Sequence, residues 1–140
     1  MKNIYEIFEE FTKAPSKNEK IDVLRRNKSM ALITVLQGSF DPRIEFAVDK
    51  VPMYKPSDSP PGLGYSSLAL ELNRLYLFIK NHPRTPAGFS EKRREQILVQ
   101  MLEVLEKKEA EVFMNMLLKK QKVPGLTSKI VEEAFPGILS

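Results

Sequence analysis

The chain has 140 residues, a net charge of +4, 42% hydrophobic and 29% charged residues, a composition typical of one ordinary globular domain. It contains no cysteine and a single histidine, His82. Disulfides and thiolate metal sites are therefore excluded, and we expect no metal and no other cofactor. No apolar run approaches the ~20 residues that span a bilayer, and the acidic start is unlike a signal peptide. We expect a cytosolic protein without membrane contact.

Helical periodicity dominates the start of the chain. An apolar stripe predicts a helix over residues 3–13, which ends before Pro15 because the residue preceding proline avoids the helical region. Ser16 then begins a second helix, with Glu19 three residues later in the arrangement of a capping box. Asn27 is expected to end this helix in the left-handed conformation.

A third helix is predicted over residues 29–37, with Gly38 as its stop. Its segment ALITVL could also form a buried strand, because it is rich in β-branched residues. No second strand candidate exists to pair with it, so we favour a helix. A short helical turn is expected over residues 41–48, and a loop rich in proline and glycine follows over residues 52–64.

The second half of the chain continues the helical pattern. Its most apolar helix is predicted over residues 66–81, at the centre of the core, and another runs over residues 90–107 with Ser90 as its cap. A further helix begins near residue 109 and reaches Lys119. After a tight Pro-Gly turn, either Thr127 or Ser128 caps the last helix. The expected fold is all-α, a single irregular multi-helix domain over residues 1–140.

Two segments hold more than the whole net charge. Residues 80–94 carry five basic side chains and one acidic side chain, a net of +4. Residues 115–131 carry four lysines and no acid, which is also +4. Two local clusters favour a polyanionic partner more than an even scatter of the same charges would.

Lys119, Lys120 and Lys122 lie between the end of one predicted helix and the start of the next. Free N–H groups at a helix N-terminus beside ammonium groups form a site that suits phosphate. The same lysines also fit a purely structural role, since cations at a helix C-terminus offset the helix dipole. The sequence leaves both interpretations open.

No motif predicts catalysis. The GLG at residues 62–64 lacks the partner residues of a phosphate-binding loop, and His82 has no second ligand for a metal. The carboxylate pairs are typical of solvated helix faces, and no serine has a basic partner for nucleophilic attack. We therefore expect a protein without enzymatic activity.

The opening segment IYEIFEEFTKAPSKNEKIDVLRRNK and the closing segment VFMNMLLKKQKVPGLTSKIVEEAFPGILS resemble the two ends of the N-terminal DNA-binding domain of T-even phage-type ATP-dependent DNA ligases. The aromatic segment IEFAVDKVP corresponds as well. The chain is also similar to small proteins of T-even-like marine phages. This resemblance implies an all-α domain that binds duplex DNA near a nick by contacting the DNA backbone. It also implies that the protein acts in the cytoplasm of the infected bacterial host.

The resemblance also implies which residues face the minor groove and the phosphates. In such domains, a helix-turn-helix within the closing segment makes these contacts. Carried over by position, its residues here are Lys119, Lys120, Gly125, Thr127, Ser128 and Lys129. The charge clusters add Lys122, Lys92, Arg93 and Arg94 as further phosphate contacts. Two departures matter: the Pro-Gly-Leu turn is one residue longer than the family's turn, and the Lys-x-Asp-Gly adenylation motif is absent. This chain cannot ligate DNA on its own.

Two functional hypotheses follow from the sequence. The first is a stand-alone, non-catalytic phage module that binds duplex or nicked DNA through phosphates with little sequence specificity, accessory to replication, repair or recombination. The second is a protein-interaction module on the same scaffold, which would bind a phage or host replication or transcription protein through its basic face or the 52–64 loop. A virion component has no sequence feature beyond the phage resemblance.

Overall fold

The structure is a computed structural model that describes residues 2–60 and 63–139. Within these ranges the chain forms seven α-helices and one 3-10 helix, with no named strand. In chain order they are α1 (Ile4–Lys13), α2 (Lys17–Arg26), α3 (Met30–Phe40), α4 (Leu68–Glu71), the 3-10 helix (Leu72–Phe78), α5 (Glu91–Val104), α6 (Lys107–Leu117) and α7 (Ser128–Ala134). The expected all-α class is confirmed, including a helix where ALITVL could have been a strand.

Helix α6 lies at the centre of the core. Its buried side chains are Glu109, Ala110, Val112, Phe113, Met114, Met116 and Leu117. It packs against α1, α3, α4 and α5. Phe113 meets Phe78 of the 3-10 helix edge to face, with ring centroids 5.9 Å apart, which is a favoured aromatic geometry. The segment expected at the centre, residues 66–81, contributes the fully buried Leu68 and Phe78 to the same core.

Hydroxyl caps begin α2 and α5 as the sequence predicted. Ser16 accepts a hydrogen bond from the backbone of Glu19 at 3.2 Å, and Ser90 accepts one from Arg93 at 3.0 Å. Ser29 does the same for α3. Each cap satisfies one N–H group that has no partner inside its helix.

Two predicted helix ends differ from the structure in conformation or in position. Asn27 ends α2 as predicted, but it is not left-handed, since its φ is −106°, and its side-chain amide instead donates to the carbonyl of Val23 at 2.7 Å. Gly38 does not stop α3, which continues to Phe40. A Cβ on Gly38 would lie 2.6 Å from the sulfur of Met116, so glycine is needed there for the close approach of α3 and α6.

The predicted helical segment over residues 41–48 is wrong beyond its start. Residues 41–44 form a single turn, in which the Ile44 amide donates to the Asp41 carbonyl at 3.1 Å. The chain then pairs with the segment after the 3-10 helix through an isolated bridge between Phe46 and Ile79. The amide of Ala47 donates to the carbonyl of Phe78 at 2.7 Å, and the neighbouring bond from Lys80 to Glu45 measures 2.8 Å. Backbone pairing with a distant segment therefore replaces the local helix.

The predicted helix over residues 66–81 is shorter and largely of another type. Only α4 is α-helical, and the 3-10 helix that follows ends at Phe78. Side chains three residues apart eclipse one another in a 3-10 helix. Leu72, Leu75 and Phe78 have this spacing, and Leu75 and Phe78 are buried, so the tighter helix turns one apolar row toward the core.

The 52–64 loop, apart from residues 61 and 62, lies along the junction of α5 and α6. The amide of Lys55 donates to the Glu103 carboxylate at 2.8 Å, and the amide of Ser66 donates to the Val104 carbonyl at 3.0 Å. Helix α5 ends at Val104 rather than at residue 107 because Leu105 is extended, with ψ of 148°. The Glu106 side chain then caps α6.

Candidate nucleic-acid interface

Lys119 connects the end of α6 to the segment that follows α3. Its φ of 57° places it in the left-handed region that ends many helices. Its Nζ donates to the carbonyl of Asp41 at 2.8 Å and lies 5.2 Å from the centroid of the Phe46 ring. Partial burial lowers the pKa of this ammonium, and the nearby Asp41 carboxylate opposes that change. Lys119 therefore has a structural partner before any ligand binds.

Asp41 is the anionic centre of this region. Its carboxylate is buried and pairs with the guanidinium of Arg43 at 2.7 Å. The hydrogen bond from Arg43 holds the pKa of Asp41 below its usual range. Two of the three Arg43 guanidinium nitrogens bond Asp41, which ties this arginine to the turn after α3.

The turn before α7 contains the other residues expected to contact DNA. Gly125 has a φ of +82°, which a side chain would strain. Thr127, not Ser128, caps α7, and its hydroxyl accepts from the amide of Ile130 at 3.2 Å. That hydroxyl already satisfies an N–H group that a phosphate would otherwise use. Ser128 is the first residue of α7, and it is exposed together with Lys129.

The basic side chains at the start of α5 have different environments. Lys92 and Arg93 are exposed. Arg94 is buried, with 9% of its surface exposed; its Nε donates to the carbonyl of Leu77 at 2.9 Å, and it pairs with Glu91. The structure therefore gives Arg94 a role in joining α5 to the 3-10 helix, and it is not free for phosphate.

A run of adjoining surface depressions joins the two basic segments. The depression beside α7, which contains Lys129, shares Phe40 and Pro42 with the one that contains Lys119 and Lys120. The depression that contains Lys119 and Lys120 shares Lys80 with a third depression. The third depression shares Asp49, Glu91 and Arg94 with a fourth. We call the lysines along this run the lysine strip: Lys50, Lys80, Lys92, Lys119, Lys120 and Lys129.

The lysine strip brings most of the predicted lysines together but leaves one apart. Lys122 lines a separate depression between α1 and α6, with Lys13, Glu9 and Glu111. Arg93 lines none of the depressions described above. Two members of the strip were not predicted as DNA contacts: Lys80, which the basic segment 80–94 already included, and Lys50, for which the sequence offers no signal.

Ion pairs are distributed unevenly over the surface. On the side of α1 and α2, Glu10 pairs with Lys2 and Arg26, and Lys17 pairs with Glu133. Across the described ranges, none of the strip lysines forms an ion pair. The strip also contains carboxylates, including Glu45, Asp49 and Glu95, so its charge is mixed rather than uniformly positive. A ligand with spaced anionic groups suits this pattern better than one compact anion does.

These features define a small all-α protein with a surface row of lysines that form no ion pair with any described residue. A family model matches residues 7–123, and its description is a family of unknown function, DUF6433. Because the match spans most of the chain, the protein belongs to that family. No curated protein matches the chain. The matched range includes every lysine of the strip except Lys129.

The remaining structural observations concern membranes and metals. Within the part of the chain that the structure describes, no helix is long and apolar enough to cross a bilayer. The same residues contain no group of three or more His, Cys, Asp or Glu side chains that could hold a metal ion. The resemblance to the ligase domain stays a prediction.

Proposed function

We propose that this protein is a non-catalytic phage DNA-binding module that contacts duplex or nicked DNA mainly through phosphates, with little sequence specificity. The lysine strip is the observation that carries the proposal. Its side chains come from five separate parts of the chain, yet they line adjoining depressions without ion-pair partners among the described residues. A row of ammonium groups can neutralise successive phosphates of a DNA backbone, and neutralising those phosphates releases bound counterions.

The proposed contacts differ from those expected from charge alone. Lys80, Lys92, Lys120 and Lys129 are exposed and unpaired, and they provide the main phosphate contacts. Arg94 is excluded because its guanidinium is buried and paired. Lys122 lines another depression and contributes less to DNA affinity than the strip lysines do. The resemblance to ligase domains supports binding near a nick, accessory to replication, repair or recombination in the cytoplasm of an infected bacterium.

The test is fluorescence anisotropy with labelled intact duplex, nicked duplex and single strand across a salt series. The strip variant replaces Lys80, Lys120 and Lys129 with Glu. The matched control replaces Lys13, Lys28 and Lys107 with Glu, which changes the net charge equally at exposed positions outside the strip. We expect the strip variant to reduce the log–log salt slope by about three, roughly one for each phosphate contact.

The control variant should lose much less affinity than the strip variant. Equal losses in the two variants would show that only net charge matters and would remove the strip as the binding surface. Absence of binding by the native protein, even at low salt, would refute the DNA-binding proposal. A preference for nicked over intact duplex would support the relation to ligase domains.

A second candidate function rests on exposed apolar side chains. Met53 and Leu63 of the 52–64 loop are 96% and 70% exposed, and the adjoining Tyr65 is 85% exposed. Exposed apolar groups in one segment can mark a protein interface. Recovery of the tagged protein from infected cells, with and without nuclease, distinguishes the two functions. A protein partner bound through the loop remains bound after nuclease treatment. The same partner is lost when Met53, Leu63 and Tyr65 are changed to Ser.

A further inference from the structure

Arg84 is stacked on an aromatic ring beside the lysine strip. Its guanidinium carbon lies 4.3 Å from the centroid of the Tyr76 ring. The His82 ring also contacts Tyr76, with centroids 5.7 Å apart and an interplanar angle of 46°. One face of the guanidinium is therefore covered by tyrosine, while the Arg84 side chain as a whole is exposed.

The turn that carries Arg84 is held by its own hydrogen bonds. The amide of Arg84 donates to Nδ1 of His82 at 3.1 Å, and the amide of Thr85 donates to the His82 carbonyl at the same distance. The Thr85 hydroxyl donates to the Tyr76 carbonyl at 3.3 Å. Among residues 2–60 and 63–139, no acidic side chain pairs with the Arg84 guanidinium. The stacked arginine thus keeps its charge and its outer face available.

The turn also adjoins the strip directly. Lys80 and Asn81 line the third of the adjoining depressions, and Arg84 follows Asn81 by three residues. Asn81 has a φ of 57°, which reverses the chain between the strip and the stacked arginine. Arg84 thus follows the strip residue Lys80 by four positions in the chain.

We infer that Arg84 and Tyr76 form a stacking platform for one unpaired nucleobase next to a duplex end or gap. This inference rests on the proposed DNA binding. Guanidinium planes and aromatic rings stack on the faces of unpaired bases, whichever base is present. A base inside an intact duplex already stacks on its neighbours, so the platform selects DNA with a single-stranded nucleotide beside the double helix. Tyr76 already contacts the guanidinium before the base arrives, which reduces the side-chain entropy lost on binding.

The test uses two DNAs with the same duplex, one blunt and one with a short overhang that carries 2-aminopurine at its first unpaired position. Affinity is measured by anisotropy and stacking by 2-aminopurine fluorescence. The variant Arg84→Lys keeps the charge but loses the planar group. Arg93→Lys is the matched control, since Arg93 is exposed and contacts no ring in the described structure.

We expect the native protein to bind the overhang DNA more tightly than the blunt duplex and to quench 2-aminopurine. Arg84→Lys should lose about fivefold or more of its affinity for overhang DNA, as expected for one lost stacking contact, and should lose the quenching. Its affinity for blunt duplex should stay within about twofold, because the charge is unchanged. Arg93→Lys should behave like the native protein with both DNAs.

Two results overturn the inference, and they are distinguishable. If the native protein binds blunt duplex but shows no overhang preference and no quenching, the platform is wrong while DNA binding stands. The platform is equally wrong if Arg84→Lys retains both effects. If the native protein binds neither DNA at low salt, the proposed function fails and the platform fails with it.

Discussion

The ammonium of Lys119 donates a hydrogen bond of 2.8 Å to the carbonyl of Asp41. This bond joins the end of α6 to the segment after α3, which are 78 residues apart in sequence. The same lysine lies in the left-handed conformation and contributes to the lysine strip. Its structural partner distinguishes it from Lys120, whose side chain is exposed and unpaired in the described structure.

Lys119→Ala should therefore destabilise the protein more than Lys120→Ala does. The first change loses the partly buried hydrogen bond to the Asp41 carbonyl, for a cost of about 1–2 kcal/mol. The second changes an exposed side chain and should cost less than about 0.5 kcal/mol. Urea denaturation of the two variants measures both costs. Equal stabilities would show that the bond to Asp41 contributes nothing.

Gly38→Ala should destabilise the contact between α3 and α6. The new methyl group would lie 2.6 Å from the Met116 sulfur, so Met116 or the helix must move, at a cost of about 1–3 kcal/mol. The same change in a Met116→Ala background should cost less, because the clash is removed. Thermal or urea unfolding of the single and double variants gives the coupling energy. An additive double variant would contradict the contact.

The stability of the protein should fall between about pH 4.5 and pH 7 through the ionisation of Glu109. Burial raises the pKa of this carboxyl to about 7, with Glu106 and Glu6 acting in the same direction and the Leu68 amide opposing them. The folded state therefore holds a proton that the unfolded state releases nearer pH 4.5, so rising pH favours unfolding in this window and has no further effect above it.

Glu109→Gln tests this prediction because it removes the ionisation while keeping the shape of the side chain. The native protein should lose about 1–3 kcal/mol of unfolding free energy from pH 4.5 to pH 8 relative to the variant. Urea unfolding across that range measures the difference. Parallel pH profiles for the two proteins would show that Glu109 does not titrate in this window.

Arg94→Ala should lower the stability of the protein without changing its DNA affinity. Arg93→Ala is the exposed control for the stability measurement. Loss of the buried Arg94 guanidinium leaves the Leu77 carbonyl without its partner and should cost about 2–3 kcal/mol of stability. Arg93 is exposed, so its replacement should leave the unfolding midpoint nearly unchanged. At a temperature where both variants are folded, Arg94→Ala should bind DNA as the native protein does. A loss of affinity there would return Arg94 to the DNA interface.

Helix starts were the most predictable part of this fold. Ser16, Ser90 and Thr127 each accept a hydrogen bond from an amide three residues later. A cap of this kind depends only on residues within one turn of the chain, so the local sequence contains all the information that it needs. For the last helix, the choice between Thr127 and Ser128 still required the structure.

Helix ends and irregular segments were less predictable because distant contacts decide them. Helix α3 continues through Gly38, which packs closely against Met116 of α6, and residues 45–47 are not helical because they pair with the chain near Ile79. Neither partner is visible in the local sequence. The same reason explains Arg94, which belongs to a basic run in the sequence but is buried beside the 3-10 helix.

The sequence by itself determined the all-α class, the helix starts and the positions of the two basic segments. Those properties follow from periodicity, local capping and composition, which act over a few residues. Only the tertiary structure decided which cations share a surface. It places Lys129, Lys120, Lys80 and Lys92 along adjoining depressions and puts Lys122 on a separate one. It also gives the Arg94 guanidinium a partner inside the protein, the Leu77 carbonyl. The physical reason is that the packing of the helices, and not the order of residues along the chain, sets where exposed charges lie.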